Sequence, residues 1–263
     1  MKSSVLQRLF VFTFGVTVYF FFLAVFLVFV AFVGDFIPPG WPFSAAPATD
    51  PWRAASADFL LIVVFGVPHS LMARHWFKAW LTQWIPAYLE RTVYVLVSSL
   101  LLLLVIWQWQ PIGPEIWHVD APLVRYAIYA LFALGWTITF VATFLTDHFD
   151  LFGLRQVFLH LLGRAYTPPK FTHRFLYRAV RHPMMLGMFI ALWATPVMTL
   201  SHLVLAIGMS LYIMIGVRLE EQGLLRDLGE GYRHYHARTP MFVPRPAGRP
   251  LGTLQVRPES KQA

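Results

Sequence analysis

Six apolar runs dictate what this chain can fold into. Leu9 to Val33, Phe59 to Met72, Thr92 to Trp109 and Leu123 to Leu145 come first. A longer stretch, broken by Ala194-Thr-Pro-Val-Met-Thr-Leu-Ser-His202, then splits into Met184 to Leu200 and Leu203 to Val217. At about 1.5 Å per helical residue, the early runs suit membrane spans, and each half of the last is about long enough to cross most of a bilayer. The pattern predicts an all-α, polytopic integral membrane protein of four transmembrane helices plus a C-terminal hairpin of two short helices. Composition agrees, with 57% hydrophobic and only 13% charged residues.

Charge placement orients the spans. Threading them in order puts the N-terminus, residues 73 to 91, residues 146 to 183 and the C-terminal tail on one side, with nineteen of the 21 Lys and Arg residues; only Arg53 and Arg125 lie elsewhere. The positive-inside rule makes that side cytoplasmic. The net charge of +8 therefore reports orientation and contact with anionic lipid rather than nucleic acid. Cysteine is absent, which excludes disulfides, thiolate metal sites and a catalytic cysteine. The first apolar run is too long for the core of a cleaved signal peptide, and Ala45-Ala46-Pro47-Ala48 is too far from it to serve as a cleavage site.

A single membrane domain, 1 to 263, is expected. It comprises a four-span half (1 to 145), a connector, hairpin and binding region (146 to 246), and a disordered polar tail (247 to 263). Gly34 to Ala57, with Pro38-Pro39-Gly40-Trp41, reads as a turn-rich loop with interfacial aromatics, and Ala73 to Arg91, with three tryptophans, as an anchor at the headgroups.

The hairpin has charged ends: Arg181-His182-Pro183 before it and Glu220-Glu221 after it. An in-and-out path brings both to one membrane face. Pro183 suits the first turn of a helix, and Gly187, one turn on, leaves a notch for a ligand or a neighbouring backbone. Tyr232 and Tyr235 lie three apart on a short helix expected after Gly229. His234-x-His236 has metal-ligand residue types, but no carboxylate or cysteine cluster completes it, so no metal is expected.

Arg181-His182-Pro183-x-x-x-Gly187, an apolar hairpin, Glu220-Glu221, Leu228-Gly229-x-x-Tyr232-x-x-Tyr235 and Val243-Pro244-x-Pro246 together resemble the membrane methyltransferases typified by isoprenylcysteine carboxyl methyltransferase. The resemblance covers roughly residues 175 to 246, with Met185 and Leu228 standing where that superfamily often has Tyr and Phe. Upstream, Asp147-His148-Phe149-Asp150-Leu151-Phe152-Gly153-Leu154-Arg155-Gln156, Tyr166-Thr167-Pro168 and Ala194-Thr195-Pro196 resemble the bacterial methanethiol S-methyltransferase branch. His69-Ser70 resembles the denitrification-associated branch.

The resemblance implies S-adenosylmethionine as cofactor, held by Arg181, His182, Pro183, Leu186, Gly187, Glu220, Glu221, Tyr232 and Tyr235. It also implies a bacterial inner-membrane location with the site facing the cytoplasm. The residue types fit: Arg181 can pair with the cofactor's carboxylate, either glutamate with its ammonium or ribose, and the tyrosines with adenine or sulfonium. A small thiol such as methanethiol is the implied acceptor, and an alkyl thiol is mostly protonated at neutral pH. Asp147 and His148, as a proton-sharing pair, Arg155, Tyr166 and His182 are the expected catalytic group. A prenylcysteine carboxylate or phospholipid amine are alternative acceptors. A non-catalytic membrane protein on the same fold is the alternative of a different class. The sequence is silent on oligomeric state.

Overall fold

The computed structural model describes residues 4 to 37, 50 to 168 and 175 to 244. Lys2, the Pro38 to Trp41 turn, the Ala45 to Ala48 stretch, Pro246 and the tail lie outside the described residues. Among the described residues, five helices are long and apolar enough to cross a membrane: α1 (Val5–Val33), α2 (Pro51–Met72), α4 (Ala87–Gln108), α5 (Pro122–Leu145) and α10 (Leu200–Leu228). Shorter helices fill the connections: α3 (His75–Leu81), α6 (His148–Leu151), α7 (Leu154–Leu161), α8 (Leu176–Ala179), α9 (Pro183–Trp193) and α11 (Glu230–Arg238).

Local chemistry sets the helix starts. Ser4 and Gln7 form a reciprocal capping box on α1. Asp50 caps α2 by accepting from the amides of Trp52 and Arg53 with Pro51 in the first turn, so the helix starts earlier than its apolar run, and the preceding loop is shorter than expected. Early starts let polar residues join spans without facing lipid: Asp58 is buried and accepts from the Gln110 amide at 2.9 Å, tying α2 to the chain leaving α4. The expected headgroup anchor contains α3, with Trp76 and Trp80 exposed.

The hairpin differs from the expected pair of short helices. Its first limb, α9, has only 11 residues, and its second, α10, has 29. The difference follows from Pro196, which has no amide hydrogen to continue a helix. Residues 194 to 199 run extended instead, and Val197–Thr199 pairs as β2 with β1 (Glu115–His118) in the α4–α5 connection. This short antiparallel pair accompanies a membrane fold that is otherwise helical, as expected. It also places the hairpin tip at the same end of the bundle as the α4–α5 loop. Ala194, Thr195 and Pro196 are buried, and the strand pairing occupies backbone groups that lipid could not satisfy. Thr199 then caps α10 through the His202 amide.

Helix α5 packs closely along α9, while α2 lies between α4 and α10, and α1 covers α4 and α7. Phe29, Trp109, Phe132, Trp136, Ile106 and Leu205 are central in the apolar core, where Trp136 meets Phe26 and Phe29 edge to face. Outward residues such as Phe10, Phe20 and Leu27 stay exposed, as expected of a surface solvated by lipid.

The α5–α9 crossing depends on glycine. A Cβ on Gly187 would collide with the Gly135 carbonyl and with Thr139, and one on Gly135 would lie 2.7 Å from the Ala191 amide and the Gly187 carbonyl. The Gly187 notch is therefore occupied by a neighbouring backbone, one of the two occupants expected for it. Overpacking there should cost about 1 to 3 kcal/mol. Gly187→Ala is expected to lower the thermal unfolding midpoint in detergent, whereas Gly216→Ala, with nothing near its added Cβ, should leave it unchanged or raise it.

Candidate active site

The end of the hairpin opposite its tip is closed by one carboxylate. Glu221, in the last third of α10, accepts on Oε1 from Arg181 Nε at 2.6 Å and from His182 Nε2 at 3.0 Å, and on Oε2 from His236 Nε2 at 3.3 Å. The Arg181 and Glu221 side chains are each only 8% exposed. Arg181 Nη1 donates to the carbonyls of His236 and Thr239, which the end of α11 leaves without helical partners. Main-chain bonds from Arg181 to Pro240 and from His182 to Met241 complete the closure. Gly229, at φ +57°, lets the chain break sharply between α10 and α11 and return to this point.

The geometry separates the two glutamates. Glu221 and Arg181 are both engaged in the closure, so the expected pairing of Arg181 with a cofactor carboxylate would compete with this internal ion pair. Glu220 points elsewhere, with its side chain 52% exposed and Oε2 3.8 Å from His182 Nδ1. Because His182 Nε2 must donate to the Glu221 carboxylate, a neutral His182 leaves its Nδ1 lone pair on the Glu220 side. Phe242 stands 6.2 Å from the His182 ring. Pro183 is buried at the start of α9, where it is a helix-start residue, and the Leu186 amide bonds to the His182 carbonyl.

The two tyrosines lie on α11 as expected, with ring centroids 5.8 Å apart. Tyr232 is buried, and the Tyr235 hydroxyl donates to the Tyr177 carbonyl at 2.7 Å. Burial, opposed by Arg181, leaves the Tyr235 phenol pushed up to about 12.

The upstream motif is arranged differently from expectation. His148 is buried, stacks on Phe144 at 4.2 Å, and uses both ring nitrogens away from Asp147. The Thr143 hydroxyl donates its proton to the Phe140 carbonyl, so Thr143 Oγ1 must accept from His148 Nδ1 at 2.7 Å, leaving Nε2 to accept from the Tyr19 hydroxyl at 2.7 Å. Burial holds this imidazole below its ordinary pKa. The expected Asp147–His148 pair is not formed, and His148 fastens α1 to the end of α5. Asp147 has a left-handed backbone, φ 73°, at the start of α6 and is half-buried.

Asp150 holds the centre of this turn. It accepts from Arg155 Nη1 at 2.9 Å and from the Tyr166 hydroxyl at 3.1 Å. Arg155 also donates to the Thr167 carbonyl and lies over the Tyr166 ring. Burial, followed by the Asp150 carboxylate, pushes the Tyr166 phenol up to about 12, so it remains a donor at neutral pH. Tyr166, sixteen residues from Asp150, gave no local signal of this contact. In the second span, His69 bonds to Tyr94 and Ser98 of α4, making it a tie between helices.

Comparison with known proteins places these features in a wider group. The model of the family described as NnrU protein matches residues 59 to 242, which include every candidate site residue. The chain is 44% identical over 245 residues to a protein named methanethiol S-methyltransferase from Crocosphaera subtropica, covering 93% of this chain and 95% of that relative. It is 43% identical over 241 residues to one of the same name from Mycobacterium tuberculosis, covering 92% and 98%. Nurim from Sus scrofa is 31% identical over 177 residues, covering 64% of this chain and 66% of the relative. No solved structure matches.

Removing one member of a buried ion pair strands the other, at a cost of about 3 to 5 kcal/mol. Arg181→Ala is expected to lower the thermal midpoint strongly. Glu220→Gln should leave it near wild type, as differential scanning fluorimetry of both purified variants will show.

Proposed function

This chain belongs to the NnrU protein family, and on that premise we propose that it is a methyltransferase that moves a methyl group from S-adenosylmethionine to a small thiol, methanethiol, giving dimethyl sulfide. The observation that carries this reading is the 44% identity over 93% of the chain to a relative named for that reaction.

The donor set fits such a cofactor. A half-exposed carboxylate, Glu220, lies beside the His182 imidazole, which in turn faces the Phe242 ring, at a closed hairpin end, and the cofactor carries an ammonium, a ribose diol and a sulfonium. Glu220 is the residue that would hold the ammonium or ribose, with His182 Nδ1 beside it. Bound S-adenosylmethionine supplies a methyl group already activated on sulfur, leaving alignment and thiol deprotonation to the protein.

The acceptor side is assigned to the turn that follows α5. Asp147 is the proton acceptor in this reading: its carboxylate makes no hydrogen bond among the described residues, its main-chain carbonyl alone accepting from the Asp150 and Leu151 amides, and it lies within the electrostatic reach of Arg155, whose charge also favours the thiolate. Tyr166, held protonated, and Arg155 fix the Asp150 side of the turn. The proton leaving the thiol passes to the Asp147 carboxylate as sulfur takes the methyl group. His148 supports this turn through Tyr19 and Thr143.

The basic residues crowd the site end of the bundle, so that end is assigned to the cytoplasm, with the N-terminus and the tail, in a bacterial inner membrane. The chain has no cysteine, so single cysteines can report sidedness. In intact cells, Asp120→Cys should react with a membrane-impermeant maleimide and Gln83→Cys should not. The opposite pattern would reverse the orientation.

Purified protein given S-adenosylmethionine and methanethiol is expected to yield dimethyl sulfide by gas chromatography. Prenylcysteine and phosphatidylethanolamine, tested alongside, should not be methylated. Asp147→Asn, which keeps a residue tolerant of the left-handed backbone, should lower kcat by about a hundredfold without changing cofactor affinity. Glu220→Gln should weaken cofactor binding by about tenfold or more, measured calorimetrically. Bound cofactor without turnover would refute the thiol assignment.

A further inference from the structure

Two cavities are each lined in part by Tyr88. One, of about 560 Å³, lies among α3, the start of α4, the end of α5, α7 and Tyr166, and its walls include Lys78, Arg91, Arg164, Glu90 and Gln156. The other, of about 460 Å³, is an apolar groove beside the first turns of α1, formed by Leu6, Phe10 and Val11 with Gln7 and Tyr88. Leu6 and Phe10 are 78% and 75% exposed. The first cavity is large and highly charged for a molecule the size of methanethiol, and methyl transfer leaves the groove without a task.

We infer that the two cavities, on either side of one shared wall residue, together seat one phospholipid with a primary-ammonium headgroup, of the phosphatidylethanolamine class. The groove takes an acyl chain, Lys78, Arg91 and Arg164 face the phosphate, and Glu90 and Gln156 receive the ammonium. The acceptors select the headgroup. Glu90 Oε1 and Gln156 Oε1 are buried without a hydrogen-bond partner among the described residues, and the Gln156 amide nitrogen is already engaged with the Asp150 carbonyl, so what this corner lacks is an N–H donor. A primary ammonium has three such donors, a choline headgroup has none, and a glycerol headgroup brings no positive charge to Glu90.

The site also touches the turn placed beside the acceptor. Arg91 Nε donates to the Leu151 carbonyl at 2.7 Å and Gln156 to the Asp150 carbonyl at 3.1 Å. A headgroup seated against both side chains braces the segment from Asp147 to Gly153.

The test is native mass spectrometry of the full chain in micelles with equal amounts of phosphatidylethanolamine, phosphatidylcholine and phosphatidylglycerol bearing identical acyl chains. Retention of phosphatidylethanolamine about tenfold above phosphatidylcholine is expected. Glu90→Gln should bring the two to parity, and Phe10→Ala should weaken all three together. If Glu90→Gln does not fold, Lys78→Ala on surface helix α3 probes the same cavity and should reduce phosphatidylethanolamine retention. Equal retention of the three lipids by the wild-type chain would overturn the inference. So would a headgroup preference that survives Glu90→Gln, or lipid release by S-adenosylhomocysteine, which would assign the cavity to the cofactor.

Discussion

Everything at the site end of this bundle depends on where the Glu221 carboxylate is satisfied. A buried carboxylate is costly unless it is paired and hydrogen-bonded, and this one collects a guanidinium and two imidazoles from segments far apart in sequence. The approach to α9, the exit of α10 and the end of α11 are thereby held at one point. Arg181 adds to the closure by bonding to carbonyls that α11 leaves open. An apolar hairpin could slide along its neighbours at little cost in lipid, but a three-way polar contact of this kind fixes its register.

That closure explains why adjacent glutamates have different surroundings. Successive residues on a helix point about 100° apart, so once Glu221 faces inward, Glu220 is turned toward the flank beside His182 Nδ1. On the acceptor side, Asp150 gathers Arg155 and Tyr166 in a similar way. Each side thus holds one carboxylate fully engaged in structure next to a second, Glu220 or Asp147, with fewer commitments. The proposed chemistry assigns the work to the freer member of each pair.

Much of the fold was legible because lipid imposes a simple rule: apolar runs of sufficient length become helices, and these did. The hairpin's shape was less legible. Its broken centre was plain from Ala194-Thr195-Pro196, but the length of each limb depended on β1, some eighty residues away, offering a strand to Val197–Thr199. The site shows the same division. Arg181, His182, Glu220 and Glu221 could be brought to one end from the sequence, since an in-and-out path leaves no other arrangement. Which glutamate meets Arg181 could not, because helical phase relative to a distant segment is a tertiary matter. Gly187 offered a notch for ligand or backbone, and Gly135 and Thr139 fill it. Asp147 and His148 suggested a pair by adjacency, yet Tyr19, 129 residues from His148, and Thr143 claim the imidazole.

The central claim is that Glu221 holds the fold while Glu220 meets the methyl donor. The most direct measurement is an electron cryomicroscopy structure of the full chain with S-adenosylhomocysteine. The account predicts that the Arg181–Glu221 contact persists and that an ammonium or ribose hydroxyl of the ligand lies within hydrogen-bond distance of Glu220. A ligand bound through Arg181 with Glu221 displaced, or bound away from Glu220 altogether, would contradict it.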